Sequence, residues 1–272
     1  MFGKLLKYEF KSVGIWFFGL YGLAAFISLA AGIWIRANLK ASKLSNSSYS
    51  TNFYSRSQGI LAFILFSLLL AIFIAIFIAT LLIIIRRFYN NIFGREGYLT
   101  LTLPVSTHKT LLTKLFVAFI CTICSGLIFI LSFFLLILPS LTIGPFLTYF
   151  TETLSQAVNI LTKPEVILAI LSFLLGITTS ILEIYFAIAL GQLFQDYRGL
   201  LAFGFYFLIS FVRSTLSILI GTGNNGFISL MSTNNSFLDC YHLTLNIILL
   251  IVYGLVFYFG THYIIKNKLN IQ

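Results

Sequence analysis

Charged residues are scarce in this chain of 272 residues, and acidic residues are the scarcest of them. Only 9% of the residues are charged while 59% are hydrophobic, against about 25% and about 45–50% in soluble domains. A water-soluble fold of this length could not bury that much apolar surface. The composition therefore excludes a soluble globular domain and predicts a polytopic membrane protein.

The chain also lacks the residue groups that carry most enzyme and metal chemistry. It contains no GxxxxGK[ST] phosphate loop, no HExxH motif and no cluster of His, Cys, Asp and Glu. Its histidines, His108, His242 and His262, are far apart in the sequence and are interpreted as interfacial or loop residues. Cys121 and Cys124 lie within an apolar run, where they act as small helix residues. We therefore expect no catalytic residues and no cofactor or metal on this chain.

Six apolar stretches are long enough to cross a bilayer, for which about 20 residues are needed. They are residues 13–35, 60–85, 115–138, 166–190, 200–220 and 244–265. These stretches predict an all-α protein with six transmembrane helices, forming a single domain over residues 1–272.

The segments between these spans differ in character. The second span has no charge in its 26 residues and is predicted to end at Arg86 and Arg87. Residues 36–59 are rich in Ser and Asn and predict a solvated loop. Residues 221–243 predict a second loop, which is either exposed or dips into the membrane.

Basic residues are distributed unevenly along the chain, whose net charge is +10. With both termini in the cytoplasm, eleven of the 17 Lys and Arg residues fall in cytoplasmic segments and five in external ones. This bias follows the positive-inside rule and predicts a multi-pass protein of the plasma membrane with cytoplasmic termini. Because these residues flank the spans and form no separate basic patch, nucleic acid is not expected as a partner.

Residues 1–12 have the pattern of an amphipathic helix. Lys4, Lys7 and Lys11 fall on one face and apolar residues on the other, which predicts an interfacial helix with its lysines toward anionic headgroups. Glu9 lies among the apolar residues, where a carboxylate needs a partner. We hypothesise that it pairs with a cation of residues 86–95 or with one on a partner subunit. Otherwise, the helix only anchors and orients the chain.

Two charges lie well inside the predicted spans, and such charges usually face a bundle interior or a cavity. Glu183 comes fourteen residues before Tyr197 and Arg213 sixteen residues after it. In an antiparallel hairpin both would lie roughly 20–25 Å from the turn, which predicts an intramembrane ion pair. The pair either tethers two helices or lines a translocation route.

The polar segment 86–114 is cytoplasmic in this orientation. Gly94 and Gly97 are predicted to end the extension of the second span, and Ser106 is a good N-cap for a short helix leading into the third. The apolar residues expected to be exposed here are Phe93, Tyr98, Leu101, Leu103 and Val105. They predict a protein-docking surface, or alternatively a loop whose apolar residues lie on the membrane.

The sequence REGYLTLTLPVSTHKTLLTK, residues 95–114, resembles the insert between spans two and three of type-2 ABC exporter permeases. The opening FGKLLKYEFKS resembles the amino-terminal helix of their Gram-positive members. The resemblance implies a second permease copy or paralogue and separate ABC ATPase subunits, which bind ATP and Mg. It also implies that residues 86–114 form a coupling insert that transmits ATP-driven closure to the spans. The residues that would form its elbow are Arg95, Glu96, Gly97, Tyr98, Leu103 and Pro104.

These features together predict the permease subunit of an ATP-driven ABC exporter without an ATPase motif of its own. Such a subunit would move a hydrophobic or amphipathic substrate, such as a peptide, lipid or antimicrobial, by alternating access. The alternative is an ATP-independent immunity or sensor protein of the membrane that binds a peptide or a partner protein in the bilayer.

Overall fold

The computed structural model of this chain describes residues 19–37, 51–94, 107–137, 155, 161–194, 197–220 and 236–267. Its helices are α1 (Gly19–Ala37), α2 (Thr51–Ile92), α3 (Thr107–Ile137), α4 (Pro164–Gly191), α5 (Arg198–Leu219) and α6 (Ser236–Asn267). No β-strand occurs in these ranges. All six helices contain a segment long and apolar enough to cross a membrane. The prediction of an all-α protein with six such helices is confirmed for this part of the chain.

Helix α2 extends beyond the predicted second span, residues 60–85, in both directions. Its 42 residues make it roughly 63 Å long, about twice the thickness of the hydrocarbon core. Arg86 and Arg87, the predicted interfacial stop of the second span, lie within this helix, because arginine favours helix and its long side chain can reach polar surroundings without a break in the backbone. The helix ends where the N–H groups of Phe93 and Gly94 both donate to the Tyr89 carbonyl, at 2.8 and 3.0 Å.

Gly94 is required by the turn that ends α2. A Cβ at this position would lie 2.5 Å from the Asn90 carbonyl oxygen, which is closer than any real side chain approaches. The prediction that Phe93 is exposed is wrong. This ring is partly buried, because it packs against the apolar core at the end of α2.

Three segments predicted as loops or separate pieces belong to long helices. Residues 51–59 of the predicted first loop are the start of α2, and residues 236–243 of the predicted second loop are the start of α6. The short helix expected after Ser106 is the first part of the continuous helix α3. Extending an existing helix costs much less than starting one, so polar residues next to an apolar run join its helix.

The described residues divide into two compact units. The first contains the end of α2, the start of α3, and α4, α5 and α6, and within it α4 packs against both α5 and α6. Its buried core comprises Ile84, Phe88, Ile92, Leu111, Ala118, Ile181, Tyr185, Ile188 and Ile265. Two glycines allow close packing in this unit. A Cβ on Gly191 would lie 2.7 Å from the Cβ of Ala202, and a Cβ on Gly260 would lie 2.5 Å from the Phe186 ring.

The second unit contains α1, the larger part of α2 and the later part of α3. The ring of Phe73 on α2 lies 4.3 Å from the Phe129 ring and 5.7 Å from the Phe133 ring of α3, measured between centroids. On α1 the buried residues are small, namely Ala24, Ser28, Ala31 and Gly32. Small residues at helical spacing allow helices to approach closely in a membrane, where packing rather than water exclusion holds them together.

The turn between α4 and α5 contains one bulky residue in a left-handed conformation. Tyr197, directly before α5, has φ 55° and is the one non-glycine residue with positive φ in the described ranges. Its ring is exposed, so the side chain does not clash with the turn. This turn sends α5 back along α4 and thereby fixes the register between the two helices.

Candidate functional site

The predicted elbow lies outside the described residues, but both of its ends are described. It falls within residues 95–106, which contain Arg95, Glu96, Gly97, Tyr98, Leu103 and Pro104. The segment begins after the end of α2 and stops before the start of α3. Both of these helix ends belong to the first unit and contribute to its core. The candidate site is therefore the region where the ends of the insert contact α4 and α6.

The end of α2 is held against α4 by two stacked aromatic rings. The centroids of Phe88 and Tyr185 are 3.9 Å apart and the ring planes differ by 7°. Phe88 is 1% exposed and Tyr185 is 2% exposed, so the stack is enclosed by protein. The Tyr185 hydroxyl donates to the Lys114 carbonyl oxygen of α3 at 3.3 Å. One residue of α4 thus contacts the helices on both sides of the insert.

The start of α3 is held against α6 by a small polar cluster. The rings of His108 and His262 stack with centroids 3.6 Å apart and planes 14° from parallel. His108 Nδ1 shares a hydrogen bond with the Tyr258 hydroxyl at 3.0 Å, and His262 Nε2 shares one with the Thr107 hydroxyl at 3.0 Å. Each imidazole therefore uses one nitrogen on a hydroxyl of the opposite helix. The cluster joins the first turn of α3 to the end of α6.

The sequence did not predict this cluster. The interpretation of His108 and His262 as scattered residues is wrong, because their rings are in contact, and both lie on helices instead of in loops. The one signal for it was the spacing of Tyr258 and His262, which at i and i+4 share a face of α6.

We expect Tyr258→Phe to lower the free energy of unfolding by about 1 kcal/mol, because it removes the hydrogen bond to His108 and keeps the ring. Unfolding of the purified chain in detergent micelles, followed by circular dichroism, measures the change. Tyr263→Phe is the matched control, since Tyr263 lies on the same helix with an exposed side chain. Equal effects of the two substitutions would contradict this role for Tyr258.

The charged residues of α4 and α5 are in contact. Arg213 Nη1 lies 2.9 Å from Glu183 Oε2, and the Ser210 hydroxyl donates to Glu183 Oε1 at 2.5 Å. Both carboxylate oxygens therefore have a partner on α5. The Glu183 side chain is 1% exposed, whereas the Arg213 side chain is 31% exposed. The pair therefore has a buried negative end and a partly exposed positive end.

The other predicted site residues fall outside this region. Lys4, Lys7, Glu9 and Lys11 of the predicted interfacial helix lie outside the described residues. Lys114, assigned to the predicted cytoplasmic insert, has a buried side chain within α3. The hydroxyl of Tyr185 and the rings of Phe88, His108 and His262 were not predicted as site residues. They are the groups that join the ends of the insert to α4 and α6.

Comparison with known proteins identifies no relative. No model of a protein family, no curated protein and no solved structure matches this chain.

Proposed function

We propose that this chain is the permease subunit of an ATP-driven ABC exporter in the cytoplasmic membrane. It would have both termini in the cytoplasm and pair with separate ATPase subunits and a second permease copy or paralogue. ATP and Mg would bind to the ATPase subunits, and this chain would not be an enzyme. The substrate would be a hydrophobic or amphipathic molecule, such as a peptide, a lipid or an antimicrobial.

The observation that carries this proposal is the attachment of both ends of the insert to the same unit. A force applied to residues 95–106 would reach α4 through Phe88 and Tyr185 and would reach α6 through His108 and His262. Contacts of this kind suit a coupling element, which has to move the spans when its partner moves. Under this proposal, binding of ATP brings two ATPase subunits together and the spans respond by alternating access.

Two sequence features support the same function. Residues 95–114 and 2–12 resemble the corresponding segments of type-2 ABC exporter permeases. The excess of Lys and Arg in the segments on one side of the spans favours a cytoplasmic position for residues 95–106, where an ATPase could bind them.

Purification from the native host tests the proposal directly. We expect an ABC ATPase to copurify with the chain and to be identified by mass spectrometry. Glu96→Arg or Leu103→Asp should lower its retention by about tenfold or more, because each places an unsuitable charge in the proposed contact surface. Lys163→Glu, a charge reversal at an exposed residue near the start of α4, is the control that should retain it.

Unchanged retention in both elbow variants would refute the coupling role of this segment. If no ATPase copurifies at all, the alternative is favoured, namely an ATP-independent immunity or sensor protein that binds a peptide or another protein in the bilayer.

A further inference from the structure

The contact between the start of α3 and the end of α6 contains two imidazoles that stack on each other. The rings of His108 and His262 are 3.6 Å apart between centroids and 14° from parallel. Each ring shares one nitrogen with a hydroxyl, His108 with that of Tyr258 and His262 with that of Thr107. A hydroxyl can donate or accept, so it can bond to a neutral or to a protonated imidazole. These hydrogen bonds therefore allow either ring to take up a proton.

The stack itself does not tolerate a proton on both rings. Two positive charges on rings 3.6 Å apart repel each other, and the repulsion is stronger where protein excludes water. His262 is half-buried, whereas His108 is exposed and can exchange protons with solvent. The stacked form therefore holds at most one proton. Two separated imidazoles hold two protons once the pH falls below the ordinary histidine pKa of about 6.5.

The charged groups around the pair add to this repulsion. Lys109 directly follows His108, and Lys266 is one helical turn after His262. Tyrosine is neutral between about pH 5 and 8, so every ionised group among the described residues around this contact is a cation. The groups that titrate or carry charge there, on α2, α3, α4 and α6, are Arg86, Arg87, Tyr89, Lys109, Lys114, Tyr185, Tyr258, Tyr263 and Lys266.

The carboxylates of the described helices lie elsewhere. Glu165 is at the start of α4 and Asp239 is near the start of α6, whereas the histidine pair is near the end of α6. Glu183 has both oxygen atoms occupied by Ser210 and Arg213 of α5. Within these helices, no negative charge is therefore placed to stabilise a doubly protonated pair.

We propose that the stacked histidines make the attachment of α3 to α6 sensitive to pH. Above about pH 6.5 both rings are mostly neutral, and the stack joins the first turn of α3 to the end of α6. In acid the second proton binds only if the rings separate, so proton uptake favours a form in which the start of α3 is released from α6. Because this form binds one proton more, each pH unit below about 6.5 favours it by up to about tenfold. The device goes beyond the proposed transport function, and it needs neither ATP nor an ATPase subunit.

Hydrogen exchange of the purified full chain in detergent, followed by mass spectrometry at about pH 7.5 and about pH 5.5, tests the proposal. Labelling times are scaled to the intrinsic exchange rates at each pH, so that the remaining differences report structure. A helix end that loses its packing opens more often and exchanges faster. We expect peptides from the start of α3 to exchange about tenfold faster at the lower pH, and peptides from the middle of α4 to be unchanged.

His108→Gln keeps a side chain that can bond to the Tyr258 hydroxyl and removes the group that takes up a proton. It should make exchange at the start of α3 independent of pH, whatever its effect on the exchange rate at neutral pH. His262→Gln should do the same, and it provides the test if His108→Gln does not fold. His242→Gln is the matched control, because His242 is the remaining histidine of the chain and lies near the opposite end of α6. This variant should retain the pH dependence.

Equal exchange of the wild-type start of α3 at the two pH values would overturn the proposal. A pH dependence that survives in His108→Gln and His262→Gln, or one that disappears in His242→Gln, would overturn it as well. A rise at low pH that extends equally through α4 would show acid unfolding of the whole unit instead of release of one contact, which also contradicts the proposal. None of these results depends on whether an ATPase copurifies.

Discussion

Phe88→Ala is expected to lower the free energy of unfolding by about 3–5 kcal/mol, as is typical when a buried aromatic ring is removed. The ring is 1% exposed and lies flat against Tyr185, so neighbouring side chains cannot easily fill the space that it leaves. The measurement is unfolding of the purified chain in mixed micelles. Phe77→Ala is the matched control on the same helix. Because Phe77 is 65% exposed, its removal should change the stability by less than about 1 kcal/mol.

Tyr185→Phe tests the contribution of the hydrogen bond to α3 separately from that of the Phe88–Tyr185 stack. It keeps the aromatic contact with Phe88 and removes the hydroxyl that donates to the Lys114 carbonyl. The expected loss is about 1 kcal/mol, well below that of Phe88→Ala. If Phe77→Ala and Phe88→Ala destabilise the chain equally, the stack does not hold the end of α2 against α4. The coupling proposal would then have no evidence for the attachment of α2 to α4 on which it depends.

If the chain is an exporter subunit, Phe88→Ala should also uncouple ATP hydrolysis from transport. The ATPase would still bind the insert, since its contact surface is unchanged, but transport per ATP hydrolysed would fall because α4 no longer follows α2. A variant that binds the ATPase and hydrolyses ATP without transport would separate this effect from simple loss of the complex. Full transport in a folded Phe88→Ala chain would contradict the proposed route of coupling.

The locations of the spans could be predicted from the sequence, whereas several helix ends could not. The prediction 166–190 agrees closely with Pro164–Gly191 because Pro and Gly mark both ends of that helix. The prediction 60–85 is much shorter than Thr51–Ile92. An apolar run shows which residues suit lipid, but the backbone of a helix continues into polar residues as long as its hydrogen bonds are satisfied.

Of the two polar contacts in the first unit, one could be predicted from the sequence and the other could not. Glu183 and Arg213 lie on helices joined by a short turn, so counting residues from the turn gives their depth. Thr107 and His262 are 155 residues apart, and only the contact between the start of α3 and the end of α6 brings them together. No local pattern contains that information. The stack of Phe88 on Tyr185 was missed for the same reason, because aromatic residues occur throughout this chain.

Glu183→Gln is expected to lower the free energy of unfolding by about 3 kcal/mol in a zwitterionic lipid or detergent. Removing one partner of a buried ion pair leaves the other charge without compensation, which costs about 3–5 kcal/mol. The lower end applies here because Arg213 is 31% exposed and retains part of its solvation. Glu165→Gln is the control, since Glu165 is in the first turn of the same helix and near its polar end.

A double-mutant cycle distinguishes a true pair from two unrelated effects. In the chain with both Glu183→Gln and Arg213→Gln, no uncompensated charge remains, so the combined loss should be smaller than the sum of the single losses by about 1–2 kcal/mol. Additive losses would mean that the 2.9 Å contact contributes nothing to stability.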